Sequence, residues 1–163
     1  GIEGTYILIN DHYERVKDIL TEDEINFGRK LIDNISVLKE GRICREFGVN
    51  SMHDITEGGL LGGIFEVAMA CGKGFKIYKD KVPILDITKK ICEEFKIDPL
   101  RLISSGSMLI TTCNGDNLVK KLKEHGINAE VIGKICDKNT VLIDDEKELD
   151  VEPPKRDELF NIQ

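Results

Sequence analysis

Residues 60–71 (LLGGIFEVAMAC) are apolar on almost every side of a helix, and no other segment constrains the fold as much. A helix that is apolar all round is stable only when other elements cover it. This segment follows a short extended run, residues 51–55, and the glycines Gly58 and Gly59, and it stops before Gly72. The sequence therefore predicts a strand, a tight turn and a buried helix near the middle of the chain.

Strand-like and helix-like segments alternate along the sequence. β-Branched and apolar runs predict strands at residues 5–10, 51–55, 75–78, 107–112, 129–132 and 140–143. Apolar residues at helical spacing predict helices at residues 12–20, 25–35, 36–47, 60–71, 87–95 and 116–125. This order indicates an α+β fold, an α/β layered sandwich in which helices cover a mixed sheet. The acidic run and the proline pair that follow predict a surface turn and an extended tail over residues 144–163.

Composition argues against several classes of function. The 163 residues include 23 Lys plus Arg and 30 Asp plus Glu, a net charge of −7, so nucleic acid is a poor partner. No apolar run approaches the roughly 20 residues that a membrane span needs, and no signal-like segment opens the sequence, so we expect no membrane association and a cytoplasmic location. The five cysteines form no CxxC pair and no zinc set, so we expect no metal site.

The densest group of polar and glycine residues lies between the central strand and the apolar helix. His53 and Asp54 end the strand, and Thr56, Gly58 and Gly59 form the turn that leads into the helix. Free N–H groups at a helix start attract anions, and glycines let a phosphate approach the backbone closely. The alternatives are a structural histidine, helix caps at Asp54 or Thr56, and glycines that serve only close packing.

Two further features could belong to the same site. Glu66 interrupts the apolar helix, where a carboxylate must face a partner, a cleft or solvent. Ser105, Gly106 and Ser107 form a compact loop before the strand at residues 107–112, and their hydroxyl and amide groups could bind an oxyanion. A solvent-facing glutamate and an ordinary tight turn are the simpler interpretations of these two features.

These residues resemble the aminoimidazole ribonucleotide (AIR) synthase-related, or PurM-like, superfamily, and the resemblance covers nearly the whole chain as its C-terminal domain. The matching segments are residues 1–5, 53–59 (HDITEGG), 65–68, 98–100 with 105–107, and 131–135. The HDxTxGG form is most similar to the hydrogenase maturation branch, HypE. Thiamine-phosphate kinase and selenophosphate synthetase are the alternative branches.

The resemblance implies a PurM C-terminal domain-like fold and one half of an ATP-dependent enzyme. An N-terminal domain, absent here, would bind most of the ATP and magnesium and form a homodimer, so residues 1–163 alone are not expected to be active. The HypE branch phosphorylates and dehydrates a carboxamide or carbonyl oxygen, on a cysteine near the end of the chain, and works with hydrogenase maturation partners. Residues 158–163 contain no cysteine, so we expect another amide or carbonyl substrate.

The resemblance also implies roles for the candidate residues. By position, Thr56, Gly58, Gly59 and the loop of Ser105, Gly106 and Ser107 would help to hold phosphate or substrate. His53 and Asp54 would line the cleft, and Glu66 would transfer a proton. The rival hypotheses are a stand-alone module that binds a small anion or regulates, and a purely structural interaction domain.

Overall fold

The computed structural model describes residues 1–162 and confirms a mixed α+β architecture. The seven helices of this part of the chain are α1 (Ile2–Asp11), α2 (Tyr13–Val16), α3 (Glu22–Arg29), α4 (Leu38–Phe47), α5 (Gly59–Cys71), α6 (Asp86–Phe95) and α7 (Gly115–Glu124). Its six strands are β1 (Ser51–Ile55), β2 (Gly74–Tyr78), β3 (Ser107–Thr111), β4 (Gly133–Cys136), β5 (Thr140–Asp144) and β6 (Lys147–Asp150). Short 3₁₀ turns occur at Lys30–Asn34, Lys79–Lys81, Pro99–Arg101 and Glu158–Asn161.

The strands form two sheets rather than one. Strands β1 and β3 pair antiparallel in a two-stranded sheet. The other four strands lie in the order β4-β2-β5-β6, in which only the β2–β5 pair is parallel. The mixed sheet is therefore confirmed, and the small β1–β3 sheet stands apart from it.

Helix α5 packs between the two sheets, as its apolar composition requires. Leu61, Ile64, Phe65 and Ala68 are buried on this helix and form one hydrophobic cluster with residues of β2 and β5. Phe65 meets Phe75 of β2 edge to face, with ring centroids 5.0 Å apart. Burial of this kind stabilises a fold by about 25 cal/mol per Å² of apolar surface, so α5 anchors the centre of the domain.

The strand predicted at residues 5–10 is wrong, because these residues belong to helix α1. Thr5, Leu8 and Ile9 are fully buried, which is helical spacing, and Leu8 and Ile9 join the cluster between α1, α3 and α6. The Thr5 hydroxyl donates to the carbonyl oxygen of Gly1 at 2.6 Å and shares a second hydrogen bond with Thr88. Tertiary packing therefore overrides the β propensity of this run.

Three other predicted boundaries also differ from the structure. Of the helix predicted at residues 12–20, only the single turn of α2 forms, and the strand predicted at residues 129–132 is displaced to β4. The acidic run after residue 143 is not a plain surface turn, because it forms the hairpin between β5 and β6. Asp145 (φ 45°) and Glu146 (φ 66°) adopt left-handed conformations there, as two-residue hairpin turns require.

The C-terminal tail is packed against the domain rather than free on its surface. Asp157 is 3% exposed, and Leu159 and Ile162 pack against the cluster of α1, α3 and α6. The Arg101 guanidinium donates to the carbonyl oxygen of Glu152 at 3.0 Å. Residues 151–162 therefore cover one end of α5, where Pro154 and Asp157 lie against Gly58.

Candidate functional site

Pairing of β1 with β3 brings the two sequence-predicted clusters to one end of the small sheet. Ile55, at the end of β1, lies opposite Ser107, at the start of β3. His53 lies opposite Leu109, two residues further along. The turn after β1 and the serine-containing loop before β3 are thus neighbours in space although about 50 residues separate them in sequence.

His53 and Glu66 form the central pair of the candidate site. His53 projects from β1 toward α5, and its Nε2 lies 2.5 Å from Oε2 of Glu66. Gly63 of α5 faces the His53 ring, since a Cβ placed on it would lie in van der Waals contact, 3.6 Å from Cδ2 of the ring. The two side chains are 31% and 67% exposed, so the pair is open to solvent and to ligands.

Asp54 stands beside this pair without joining it. Its Oδ1 lies 3.9 Å from Nδ1 of His53, which is an electrostatic contact but too long for a hydrogen bond. The Asp54 side chain is 65% exposed. The carboxylate can therefore influence the charge on the imidazole ring but does not fix its orientation.

A crevice of about 1570 Å³ runs past the exposed side of the His53–Glu66 pair. Both members of the pair line it, as do Gly106 and Ser107. Its other walls are mainly apolar and include Leu60, Ile64, Val67, Leu109 and Ile132. A concave, largely apolar site with a few polar groups is the usual form of a small-molecule site.

The other predicted residues do not line this crevice. Asp54, Thr56, Gly58, Gly59 and Ser105 lie outside its wall. The structure therefore divides the predicted site into one group on the crevice and another at the start of α5.

The glycine turn at the start of α5 is closed, contrary to the expectation of free amides there. The N–H group of Gly58 donates to Oδ2 of the buried Asp157 at 2.7 Å, and the N–H group of Gly59 donates to the carbonyl oxygen of Thr56 at 3.2 Å. Pro154 packs over Gly58, because a Cβ on Gly58 would lie 3.2 Å from its ring. A carboxylate of the chain itself thus occupies the position that was predicted for phosphate.

Gly59 is needed for packing. It has a left-handed conformation (φ 62°), and a Cβ on it would lie 2.7 Å from the carbonyl oxygen of Leu102 and 2.8 Å from that of Leu100. Only glycine fits both the dihedral angle and the space. The packing alternative that the sequence left open therefore accounts for Gly59 in this structure.

The serine-containing loop is a tight turn held by its own hydroxyl groups. The N–H group of Ser107 donates to the carbonyl oxygen of Ser104 at 3.0 Å, and their hydroxyl oxygens are 2.8 Å apart. Gly106 has φ 95° and lies so close to Asn34 that a Cβ would come within 2.8 Å of its carbonyl oxygen. The loop is therefore rigid, and it presents Gly106 and Ser107 to the crevice.

Sequence reasoning missed Asp157, which shapes this region. Ser104, the first residue of the serine-containing loop, is 4% exposed, and its hydroxyl oxygen lies 2.8 Å from that of Ser107. Asp157 lies 99 residues from the amide that it caps, and the single sequence offers no signal for that contact.

Residues 1–162 contain no group of three or more His, Cys, Asp or Glu side chains that could hold a metal ion. In the same part of the chain no helix is long and apolar enough to cross a membrane. Burial raises the pKa of the Cys92 thiol to about 12, so it carries little thiolate at neutral pH. Cys92 is thus a buried apolar group, in keeping with its sequence context, whereas Cys71 is exposed despite a similar context.

The family described as "AIR synthase related protein, C-terminal domain" matches residues 13–145 of this chain. Among curated proteins, the carbamoyl dehydratase HypE of Escherichia coli is 26% identical over 98 residues, which are 58% of this chain and 29% of that protein. The carbamoyl dehydratase HypE of Rhodobacter capsulatus is 30% identical over 63 residues, which are 39% of this chain and 18% of that protein.

Solved structures show the same fold. The crystal structure of E. coli HypE superposes with a TM-score of 0.78 at 24% identity, covering 95% of this chain and 47% of that one. The crystal structure of a HypE–HypF complex superposes with a TM-score of 0.60 at 26% identity, covering 69% of this chain and 39% of that one. ThiL of Aquifex aeolicus, complexed with AMPPCP and TMP, superposes with a TM-score of 0.63 at 17% identity, covering 94% of this chain and 47% of that one. The chain therefore spans less than half the length of the relatives that it matches.

Proposed function

This chain belongs to the family of AIR synthase related proteins, as their C-terminal domain, and we propose that it is this domain of a HypE-like enzyme. In this proposal the enzyme phosphorylates and dehydrates a carboxamide or carbonyl oxygen with ATP. The chain supplies one wall of the reaction cleft and the groups that move a proton. Support comes from the two curated HypE relatives, which are named carbamoyl dehydratases.

The observation that carries the proposal is the placement of His53 and Glu66 on the wall of the crevice, with Gly106 and Ser107 on the same surface. An imidazole–carboxylate pair can take up or release a proton near neutral pH. A hydroxyl group and a backbone amide can donate to an oxyanion. These are the two tasks that phosphorylation and dehydration of an amide would require from this side of a cleft.

The proposed roles differ between the two groups of residues. Ser107 and Gly106 would hold a phosphate or substrate oxygen, and His53 with Glu66 would handle the proton. Asp54 would act through its charge at the rim. Thr56, Gly58 and Gly59 would hold phosphate only after residues 151–162 move, because Asp157 already accepts from Gly58. Ser105 would act from outside the crevice wall.

ATP and magnesium are assigned to the part of the enzyme that lies outside residues 1–163. Residues 1–162 hold no group of three His, Cys, Asp or Glu side chains that could bind a metal ion by themselves. ATP would supply the phosphoryl group. The groups in this chain would orient the acceptor, keep its surroundings apolar and remove the proton.

The proposed setting of the enzyme is a cytoplasmic homodimer that meets hydrogenase maturation partners. A HypE–HypF complex among the structural neighbours supports a protein partner of this kind. The net charge of −7 makes nucleic acid a poor partner.

Phosphate release by the full-length gene product tests this proposal. The assay supplies ATP with or without a panel of carboxamides, among them a peptide that carries S-carbamoylcysteine, and it compares the wild type with His53→Gln. We expect release that depends on the carboxamide, and a loss of about 100-fold or more in kcat for the variant. Circular dichroism and the melting temperature control for folding. Equal rates in the two proteins, or phosphate release that does not depend on the carboxamide, would overturn the proposal.

In a second candidate function the chain is a stand-alone module that binds a small anion or has a regulatory role. The observation that favours it is the concave, mainly apolar crevice beside the exposed His53–Glu66 pair, which is the usual form of a small-molecule site. Calorimetry of residues 1–163 with phosphate and with ATP separates the two candidates. The enzyme proposal predicts weak or absent binding of ATP by this chain alone, whereas saturable binding of ATP would favour the module.

A further inference from the structure

We propose that Nδ1 of His53 is the atom that exchanges the proton with substrate, and that Glu66 is a positioning residue that holds the opposite ring nitrogen. This inference rests on the proposed function. It reverses the expectation that Glu66 itself transfers the proton. The argument starts from the two ring nitrogens of His53, which have different surroundings.

Nε2 is already committed to a hydrogen bond. It lies 2.5 Å from Oε2 of Glu66, and an ionised carboxylate can only accept, so Nε2 must carry the hydrogen and donate it. The charge on the carboxylate makes this bond stronger than one between neutral groups. The ring is therefore held with Nε2 protonated in both of its charge states.

Nδ1 is left as the nitrogen that titrates. Its nearest acidic atom is Oδ1 of Asp54, at 3.9 Å, which is beyond hydrogen-bond distance. In the neutral ring Nδ1 consequently has a free lone pair. Asp54 places a second carboxylate near the position where a proton would arrive.

Ring placement fits the same assignment. Cδ2 of His53, next to Nε2, faces Gly63 of α5, which fixes the side of the ring that points into the helix. The His53 side chain is 31% exposed, and the edge of its ring that carries Nε2 faces the protein. An oriented imidazole with one nitrogen bound to a carboxylate and the other free is the arrangement used by general bases.

In the proposed reaction the step is a proton transfer coupled to loss of phosphate. The N–H bond of the O-phosphorylated amide breaks, and its electron pair forms the third carbon–nitrogen bond. The carbon–oxygen bond breaks, and its electron pair leaves with the phosphate. The proton passes to Nδ1 of His53 and then to the departing phosphate, so the ring returns to its neutral form.

Nitrogen-15 NMR of the histidine rings in the 163-residue chain tests the assignment without any turnover. We expect Nε2 to keep the chemical shift of a protonated nitrogen on both sides of the His53 titration, while Nδ1 moves through its full range. We also expect a downfield Hε2 signal that exchanges slowly with water. In Glu66→Leu the Hε2 signal should disappear, and the neutral ring should divide between its two tautomers.

A matched control and a kinetic comparison complete the test. Glu124→Gln, an exposed glutamate at the end of α7, should leave both signals unchanged. In the full-length protein Glu66→Gln should lower kcat about 10-fold, because the amide oxygen still accepts from Nε2, and His53→Gln should lower it about 100-fold or more. An unprotonated Nε2 in the neutral ring of the wild type, or a larger loss of kcat for Glu66→Gln than for His53→Gln, overturns the inference. Absence of carboxamide-dependent turnover in the wild type overturns the proposed function and the role of Nδ1 in it, while the NMR result still decides where the proton lies.

Discussion

The two halves of helix α5 carry very different chemistry. At its start, Gly58 and Gly59 are buried, and the amide of Gly58 is capped by a carboxylate from the C-terminal tail. Two turns further along, Glu66 is two-thirds exposed and meets His53 on the wall of an open crevice. A glycine-rich turn before a helix can therefore serve packing, while the reactive groups lie in the middle of the same helix.

Substitution of Gly59 should show the largest effect on stability. We expect Gly59→Ala to lower the free energy of unfolding by about 3–5 kcal/mol, because the new Cβ would meet the backbone of residues 100–102. Gly72→Ala is the matched control, since Gly72 has the same left-handed conformation (φ 63°) with nothing within 4 Å, and it should cost about 1 kcal/mol. Urea unfolding measures both, and equal losses would contradict a packing role for Gly59.

Removal of the carboxylate on the tail should have the next largest effect. Asp157 accepts from the N–H groups of Gly58 and Leu159, so Asp157→Ala should cost about 1–3 kcal/mol by leaving buried donors unpaired. Asp157→Asn keeps one acceptor oxygen and should cost less. Asp150→Ala, on the exposed strand β6, is the control. A loss for Asp157→Ala no greater than that for Asp150→Ala would show that the tail does not close this end of α5.

The smallest effect on stability should come from the exposed pair. Glu66→Gln should change the free energy of unfolding by about 0.5 kcal/mol or less, since solvent-exposed ion pairs contribute little. Thermal unfolding checks this expectation against the loss of kcat in the same variant. A loss of stability above about 2 kcal/mol would assign Glu66 to the fold rather than to the site.

Local pattern was sufficient for much of the architecture. The apolar helix α5, the helix that precedes β1 and the strand β2 were all predicted and all observed. The failure at α1 has a physical cause, because Thr5 and Ile9 are β-branched, yet Thr5, Leu8 and Ile9 are buried together on one face of a helix. Hairpin β5–β6 was missed because its strand β6 is fully exposed and carries no apolar alternation.

The candidate site was predictable as a set of residues but not as an arrangement. Glu66 stood out because it interrupts an apolar helix, and His53 because it lies at the end of the strand before the glycine turn; the structure places the two side chains in contact. Asp54 and His53 were expected in one role, yet consecutive strand residues point to opposite faces, so only His53 reaches the crevice. The closure of the glycine turn depends on Asp157, and no local pattern in a single sequence encodes a contact over 99 residues.

Amide chemical-shift mapping on the nitrogen-15-labelled chain tests the central claim most directly, namely that ligands meet the middle of α5 and not its start. Inorganic phosphate and acetamide, a simple carboxamide, would be titrated separately onto the wild type. The account predicts that the largest shifts lie at His53, Glu66, Gly106 and Ser107, with little change at Gly58 and Gly59. Shifts concentrated at Thr56, Gly58 and Gly59, with His53 and Ser107 unmoved, would contradict it.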